Sequence, residues 1–417
     1  MLAGLRVCML VSNNLAIDAR VRKEAETLAN VGADVTVIGW GTEKPQDIID
    51  NASYQLELAR PMVDGKDIAP RLGREDVWYP VRVLVNKTVT ASRQRRYAQQ
   101  VDESGYTPQV IRQEMIETAK RFDFDIVHAH DLDTLYAGYR IAQDQGAKLI
   151  YDSHELYLEL HFLSPLLKVH YEKIEAEIFP KIDALVTVST QIGRILCEQY
   201  NRPDLEPVVL YNGGVKVVDE IALVSSPVRL FFQGAFAPDR NLVELTAAME
   251  HLRGKATLTL QGWGLDEEPI RDMIAERSLE GVVEIIAPCP PFEVVQSASS
   301  YDVGIINSIA EDKNFLVTLP NKLFDYMSAG LAVASTNLPP IQEILEIEGC
   351  GIVYEQKGIE HTAQVLNELV SDSGRIAVMK QASLVAAPKY AWDAQAKKLI
   401  ALYQDLKNHS DLKNAIR

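Results

Sequence analysis

Short apolar runs alternate with helix-patterned stretches along most of this chain, and that alternation confines it to an α/β fold built on parallel sheets. Residues 6–12 (RVCMLVS) read as a buried strand, 19–31 as an amphipathic helix, and 34–39 (DVTVIG) as a second strand after a stop at Gly32. The turn between them, Ser12-Asn13-Asn14, lacks the G-x-G-x-x-G of a dinucleotide site, which disfavours a nicotinamide or flavin there. Asp18, Arg20, Arg22 and Lys23 open the helix and read as its solvated side, with a ligand-facing role as the alternative.

After a stretch of weak periodicity from 51 to 100, a helix is expected near 109–122. A strand follows, running into the polar tip of Phe124-Asp125-Ile126-Val127-His128-Ala129-His130-Asp131. A helix over 132–145 leads to a strand at 148–152 (KLIYD) and to Ser153-His154-Glu155. Open α/β sheets bind ligands outside the carboxyl ends of their strands, so these two tips are candidate active-site loops, with His154 the residue to keep. His128, His130, Asp131, His154 and Glu155 resemble a metal-ligand inventory. They share no helical face and no thiolate joins them, so a metal is not expected.

A helix around 168–182, a strand at 184–188, a helix to 200 and a short strand at 207–210 close the first series, and Tyr211-Asn212-Gly213-Gly214 reads as a hinge. The second series has strands at 229–233, 256–260, 282–286 and 302–306. Gly234 permits close backbone approach to a ligand, and Arg240 opens the next helix with a fork suited to phosphate. In the following stretch, PNKLFDYMSAGLAVAST, Pro320 suits a helix start, Leu323, Phe324 and Met327 form its apolar face, and Gly330 suits its end. Such a helix start is an anion site, with Lys322 in its first turn and Asp325 one turn on. A solvated first turn is the alternative. The domains are expected at 1–212, completed by a C-terminal helix over 391–417, and at 213–390.

Composition narrows the function. The 417 residues, 47% hydrophobic and 24% charged, have room for two cores, and a net charge of -16 disfavours nucleic acid as a partner. The four cysteines are scattered without metal or disulfide spacing, and no signal-peptide layout or long apolar run is present, so a cytoplasmic setting is expected. Basic residues between 71 and 96, among them Arg71, Arg74, Arg82, Lys87, Arg93, Arg95 and Arg96, interleave with Trp78, Tyr79, Val81, Val83, Leu84 and Val85. The segment reads first as a loop and helix packed on its own domain, or as a subunit contact, with a peripheral contact with an anionic inner membrane face as the alternative.

Taken together, "DARVRKEAETLANVGADVTVIGW", "DIVHAHD", "YDSHE", "ALVTVS", "VVLYNGG", "FFQGAFAPDRNL", "LQGWG", "PNKLFDYMSAGLAVAST" and "YAWDAQAKKLIALY" resemble family four of the retaining glycosyltransferases, of GT-B architecture. The resemblance covers nearly the whole chain. It implies two Rossmann-like parallel-sheet domains facing each other across a cleft, the C-terminal one holding a nucleotide-sugar donor and the N-terminal one an unidentified acceptor. Sugar transfer with retention is implied, and a UDP-sugar is favoured, with GDP and ADP open. Arg240 and Lys322 would neutralise the donor diphosphate. Asp325 would hold the ribose, the backbone of Thr318 and Leu319 would flank the sugar, and His154 would contact it near the reacting centre. No cofactor or metal is implied.

In one respect the chain departs from the family pattern. Val317 stands where the first Glu of the Glu-x7-Glu motif is usual, and it can neither accept a hydrogen bond through its side chain nor act as a nucleophile. This favours a front-face reaction in which the leaving phosphate helps to take the acceptor proton. Glu311 and Asp312 are nearby carboxylates that could substitute. A non-catalytic GT-B partner subunit is the alternative reading, and an epimerase or phosphorylase ranks below it.

Overall fold

A computed structural model describes residues 2–16, 18–41, 43–59, 62–63, 66–67, 108–160, 163–214, 218–290, 293–310 and 313–415, those at 62–67 and 409–415 by backbone alone. The basic segment at 71–96, and Glu311 and Asp312, lie outside the described residues.

Strands are numbered in chain order: β1 Arg6–Leu10, β2 Asp34–Trp40, β3 Gln55–Ala59, β4 Met62–Val63, β5 Lys66–Asp67, β6 Ile126–His130, β7 Lys148–Ser153, β8 Ala184–Thr187 and β9 Val208–Val209. They are followed by β10 Val228–Gln233, β11 Ala256–Gln261, β12 Val283–Ile286, β13 Val303–Ile306, β14 Ala332–Thr336 and β15 Gly351–Tyr354. The chain divides into two compact units. One comprises Met1–Thr187, Gly193–Val209 and Lys398–Arg417, the other Val188–Ile192 and Leu210–Lys397.

The first unit holds a seven-stranded sheet ordered β3-β2-β1-β6-β7-β8-β9, parallel throughout. Four of the five β1 residues and all of β6 are buried, as both-face coverage by helices demands. The second unit holds a parallel six-stranded sheet ordered β12-β11-β10-β13-β14-β15. In each, the chain builds outward from its first strand and then returns to that strand's other side. The reversal, between β1 and β6 and again between β10 and β13, opens a crevice at the carboxyl ends of those strands.

Packing fixes what stands at the second crevice. The helix Asn321–Ser328 buries Leu323, Phe324, Tyr326 and Met327. Gly304 of β13 makes this possible: a Cβ there would lie 2.3 Å from Cδ2 of the Tyr326 ring, so only glycine leaves room for it. The Tyr326 hydroxyl accepts from the Gln233 amide at 3.0 Å, tying the helix to the end of β10. Gly330 ends the helix region with φ +68 and donates to the Met327 carbonyl at 3.0 Å.

Candidate active site

The site in the C-terminal unit is built from three loops that follow β10, β13 and β14. Gly234, the first residue after β10, adopts φ +138, and a Cβ on it would stand 3.3 Å from Nζ of Lys322. Arg240 lies in a 3-10 turn, Pro238–Arg240, and its Nη1 donates to Oγ of Ser308 at 2.9 Å. Asn307 holds that turn: its Nδ2 donates to the carbonyls of Arg240 and Asn241 at 3.2 and 2.9 Å, while its Oδ1 accepts from the Tyr354 hydroxyl at 2.8 Å. Thr336, at the end of β14, accepts from the Ser308 amide and donates to the Ser308 carbonyl at 2.8 Å. The arginine is therefore fixed by residues at the ends of three strands.

Lys322 enters from the first turn of its helix, where Pro320 provides no side-chain cap for the free amides. Its Nζ lies 4.0 Å from the centre of the Phe232 ring, and among the described residues no carboxylate is within salt-bridge distance. Burial, with Arg240 the next contributor, pulls the ammonium down to about 7; Asp239 and Asp325 oppose this. Asp325 is half-buried one turn on. Thr318 follows the short helix Lys313–Val317, with its amide bonded to the Asn314 carbonyl at 3.0 Å, and Leu319 packs on the core beside the Asn321–Ser328 helix. The Val317 carbonyl accepts from the Ser189 hydroxyl at 2.6 Å.

An anion between Arg240 and Lys322 would favour the protonated lysine, so the bound pKa lies above the free value of about 7. Binding of a nucleoside diphosphate then takes up a proton as pH rises above 7. Calorimetric titration across pH 6 to 9 is expected to find affinity level below about pH 7 and falling, by up to about tenfold per unit, above it. Lys322→Arg, which stays charged, is expected to flatten the profile; an equally steep one would contradict the assignment.

His154 lies in the N-terminal unit, within a network that sequence reasoning saw only in part. Its Nδ1 is 3.1 Å from Asp131 Oδ2 and its Nε2 is 3.3 Å from Asp152 Oδ2, while its amide donates to Asp131 Oδ1 at 3.0 Å. Burial alone would lower its pKa, but Asp131 and Asp152 outweigh burial and raise it well above the ordinary value, so the ring is an imidazolium. His128 and His130, both on one face of β6, stack with centroids 4.3 Å apart. The Nδ1 of His128 is 2.8 Å from the Tyr403 hydroxyl; burial, then His130, push its pKa down to about 3.

Arg20 is the correction to the sequence reading. It is 5% exposed rather than solvated, with Nε and Nη2 donating to Asp152 at 3.0 to 3.1 Å and Nε 3.1 Å from Glu24. Asp152 is held well below the usual carboxylate range because Arg20 and His154 overcome its burial. Glu24, fully buried, is pushed up to about 7. The signal was present in phase: Arg20 and Glu24 fall with Val21, Ala25 and Leu28 on the helix's buried side. Donor atoms of Glu24, His128, His130 and Asp152 all lie within 4.8 Å, but the carboxylates already face Arg20, which supplies the positive charge they require.

Comparison with known proteins accords with the two parallel-sheet units. Residues 19–214 match the family described as Glycosyltransferase Family 4, and residues 219–384 match Glycosyl transferases group 1. The GDP-mannose:cellobiosyl-diphosphopolyprenol alpha-mannosyltransferase of Xanthomonas oryzae pv. oryzae is 19% identical over 315 residues, 70% of this chain and 77% of that protein. Sucrose-phosphate synthase from Thermosynechococcus elongatus superposes with TM-score 0.71 at 14% identity, over 97% of this chain and all of that one. Anabaena HepE, solved in complex with UDP, gives 0.67 at 13% identity, over 96% of this chain and all of that one. Two Rossmann-like units with these matches define a glycosyltransferase of GT-B architecture. Within that class, the chain belongs to family four. Among the described residues, no helix is long and apolar enough to cross a membrane.

Proposed function

We propose that this glycosyltransferase moves a sugar, with retention, from a nucleotide-sugar donor to an acceptor hydroxyl, and that a UDP-sugar is the donor. The observation that carries the reading is the cation pair Arg240–Lys322 at the β10/β13 switch point, where burial, then Arg240, pull the Lys322 ammonium down to about 7 and an anion would restore its charge. A donor diphosphate supplies that anion. UDP in the Anabaena HepE complex supports the choice of base; the Xanthomonas relative, named for GDP-mannose, makes GDP the competitor.

In the reaction, the bond between the anomeric carbon and the donor phosphate breaks, and Arg240 and Lys322 stabilise the charge developing on the departing diphosphate. The acceptor oxygen bonds to that carbon on the same face, and the leaving phosphate takes its proton. Val317 offers no side-chain nucleophile, which supports this front-face route over a covalent enzyme intermediate. The two cations and the helix N-terminus take the role that a metal ion has in other transferases. Asp325 holds the ribose, Thr318 and Leu319 present backbone to the sugar, and His154, its ring held between Asp131 and Asp152, contacts the sugar near the reacting centre.

His154→Ala is expected to lower turnover by roughly ten- to a hundredfold while leaving nucleotide affinity within about twofold, since a group beside the reacting centre of the sugar acts mainly in the transition state. Initial rates with a matched donor and acceptor, beside calorimetry with the free nucleotide, separate the two effects. An unchanged kcat would remove His154 from the reacting centre.

A further inference from the structure

The N-terminal unit contains a second, unassigned basic site. The helices Pro108–Ala119, Asp131–Gln145 and Pro165–Ile178 border a cavity of about 330 Å³ lined by Gln109, Arg112, Gln113, Tyr136, His170 and Ile174. Arg112 is only 4% exposed. Its Nε donates to the Pro108 carbonyl at 3.0 Å and its Nη2 lies 2.9 Å from Nε2 of His170, but among the described residues its Nη1 has no hydrogen-bond partner. The guanidinium carbon stands 5.5 Å from the centre of the Tyr136 ring and 5.8 Å from that of Tyr171.

The charge on this arginine is not balanced. Among the described residues no carboxylate lies within salt-bridge distance of it. Asp133, the acid whose charge acts on it, is itself pushed up to about 7 by burial and by Asp131, so it brings only part of a charge at neutral pH. Tyr136, Tyr157 and Tyr171 are the other titratable groups facing Arg112, and burial holds Tyr157 un-ionised. Burial, then Arg112 and Lys173, push the His170 imidazole down, so it stands neutral and accepts from Nη2. Buried guanidinium groups are ordinarily paired with an acid, and aromatic faces offset only part of the desolvation. A small anion in the adjoining cavity would complete the set. The exposed amides of Gln109 and Gln113 stand at its edge as further donors.

We propose that this cavity is an oxyanion pocket for a phosphate group, with Arg112 as its anchoring donor and the Nδ1–H of the neutral His170 ring as a second donor. A phosphate shares its oxygens among guanidinium, imidazole and amides, and its negative charge suits a buried arginine beside a neutral imidazole that donates through Nδ1. The phosphate of a soluble ligand and that of a lipid headgroup carry the same chemistry. The pocket uses no residue of the donor site.

The test titrates inorganic phosphate into the full chain carrying Arg240→Gln and Lys322→Gln, which removes the other cation pair able to hold it. Calorimetry is expected to find saturable binding that weakens roughly tenfold or more on adding Arg112→Gln. No saturable binding, or binding indifferent to Arg112→Gln, overturns the proposal. The NMR signal of the His170 ring, assigned with His170→Gln, gives a readout that leaves Arg112 in place. Phosphate is expected to shift that signal and to raise its apparent pKa; an unmoved signal also overturns the proposal. Phosphatidylglycerol vesicles that are bound, released by phosphate and lost with Arg112→Gln would mark the lipid headgroup as the source. Phosphate binding without vesicle binding would mark a soluble ligand.

Discussion

Lys322→Ala is expected to weaken binding of the donor nucleotide by about 1–3 kcal/mol, roughly five- to a hundredfold, and to lower kcat/KM at least as much. The loss follows from what surrounds the ammonium. It sits on the Phe232 face beside the Gly234 backbone, with Arg240 fixed by Ser308 and with no acid within salt-bridge distance among the described residues. Among the described residues its removal breaks no ion pair, so stability is expected to hold or to rise slightly while affinity falls. That opposition separates a ligand-binding lysine from a structural one. Urea unfolding of the apoprotein beside calorimetry with nucleoside diphosphates measures both; a variant that unfolds earlier yet binds normally would make Lys322 structural.

Arg20→Met is expected to have the largest effect on stability, about 3–5 kcal/mol, because it leaves two buried carboxylates without their cation. Asp152 is fully buried and takes Arg20 on both oxygens, and Glu24 is fully buried beside it. The deficit carries a pH signature. Without Arg20 both acids become harder to ionise: Glu24 rises further above the ordinary value, and Asp152, still beside His154, rises from its low one. The destabilisation is therefore greatest where the unfolded carboxylates are ionised, near neutral pH, and shrinks as pH falls and the acids protonate. Adding Asp152→Asn and Glu24→Gln to Arg20→Met is expected to recover part of the loss. Chemical unfolding at pH 5 and 7 checks this, and a midpoint for Arg20→Met equal to that of the parent would contradict the buried network. Asp152 also faces His154, so the same variant is expected to disturb that ring.

Much of this was legible because parallel sheets write themselves in apolar runs. The stretches RVCML, IVHAH and VGII become β1, β6 and β13, nearly all buried, and YMSAG ends the Asn321–Ser328 helix at a left-handed glycine. Strand β3 was not legible in this way. QLELA pairs in parallel with β2 at the sheet's edge, where Leu56, Leu58 and Ala59 are buried but Gln55 is exposed and Glu57 half-buried, so no continuous apolar run announces it. The cations Arg240 and Lys322 stood out by their place after strands and at helix starts. Asn307, Ser308, Thr336 and Tyr354, which hold the Arg240 turn, did not, because their role depends on neighbours 28 to 68 residues away. Arg20 was misread for the same reason: its partner Asp152 is 132 residues distant, and a charged residue at a helix start looks solvated until the opposing strand is in place.

The central claim is that the crevice at the end of β10 and β13 holds the diphosphate of a sugar donor. Thermal unfolding of the parent and of Lys322→Ala, each with UDP, GDP, ADP or dTDP, tests it most directly. A nucleotide at a hundred times its dissociation constant adds about 2.7 kcal/mol to the stability of the folded chain. The predicted result is a raised midpoint in the parent with one nucleotide, UDP first, and a much smaller rise in Lys322→Ala at the same concentration. A parent that none of the four stabilises, or a rise that Lys322→Ala leaves intact, would contradict it.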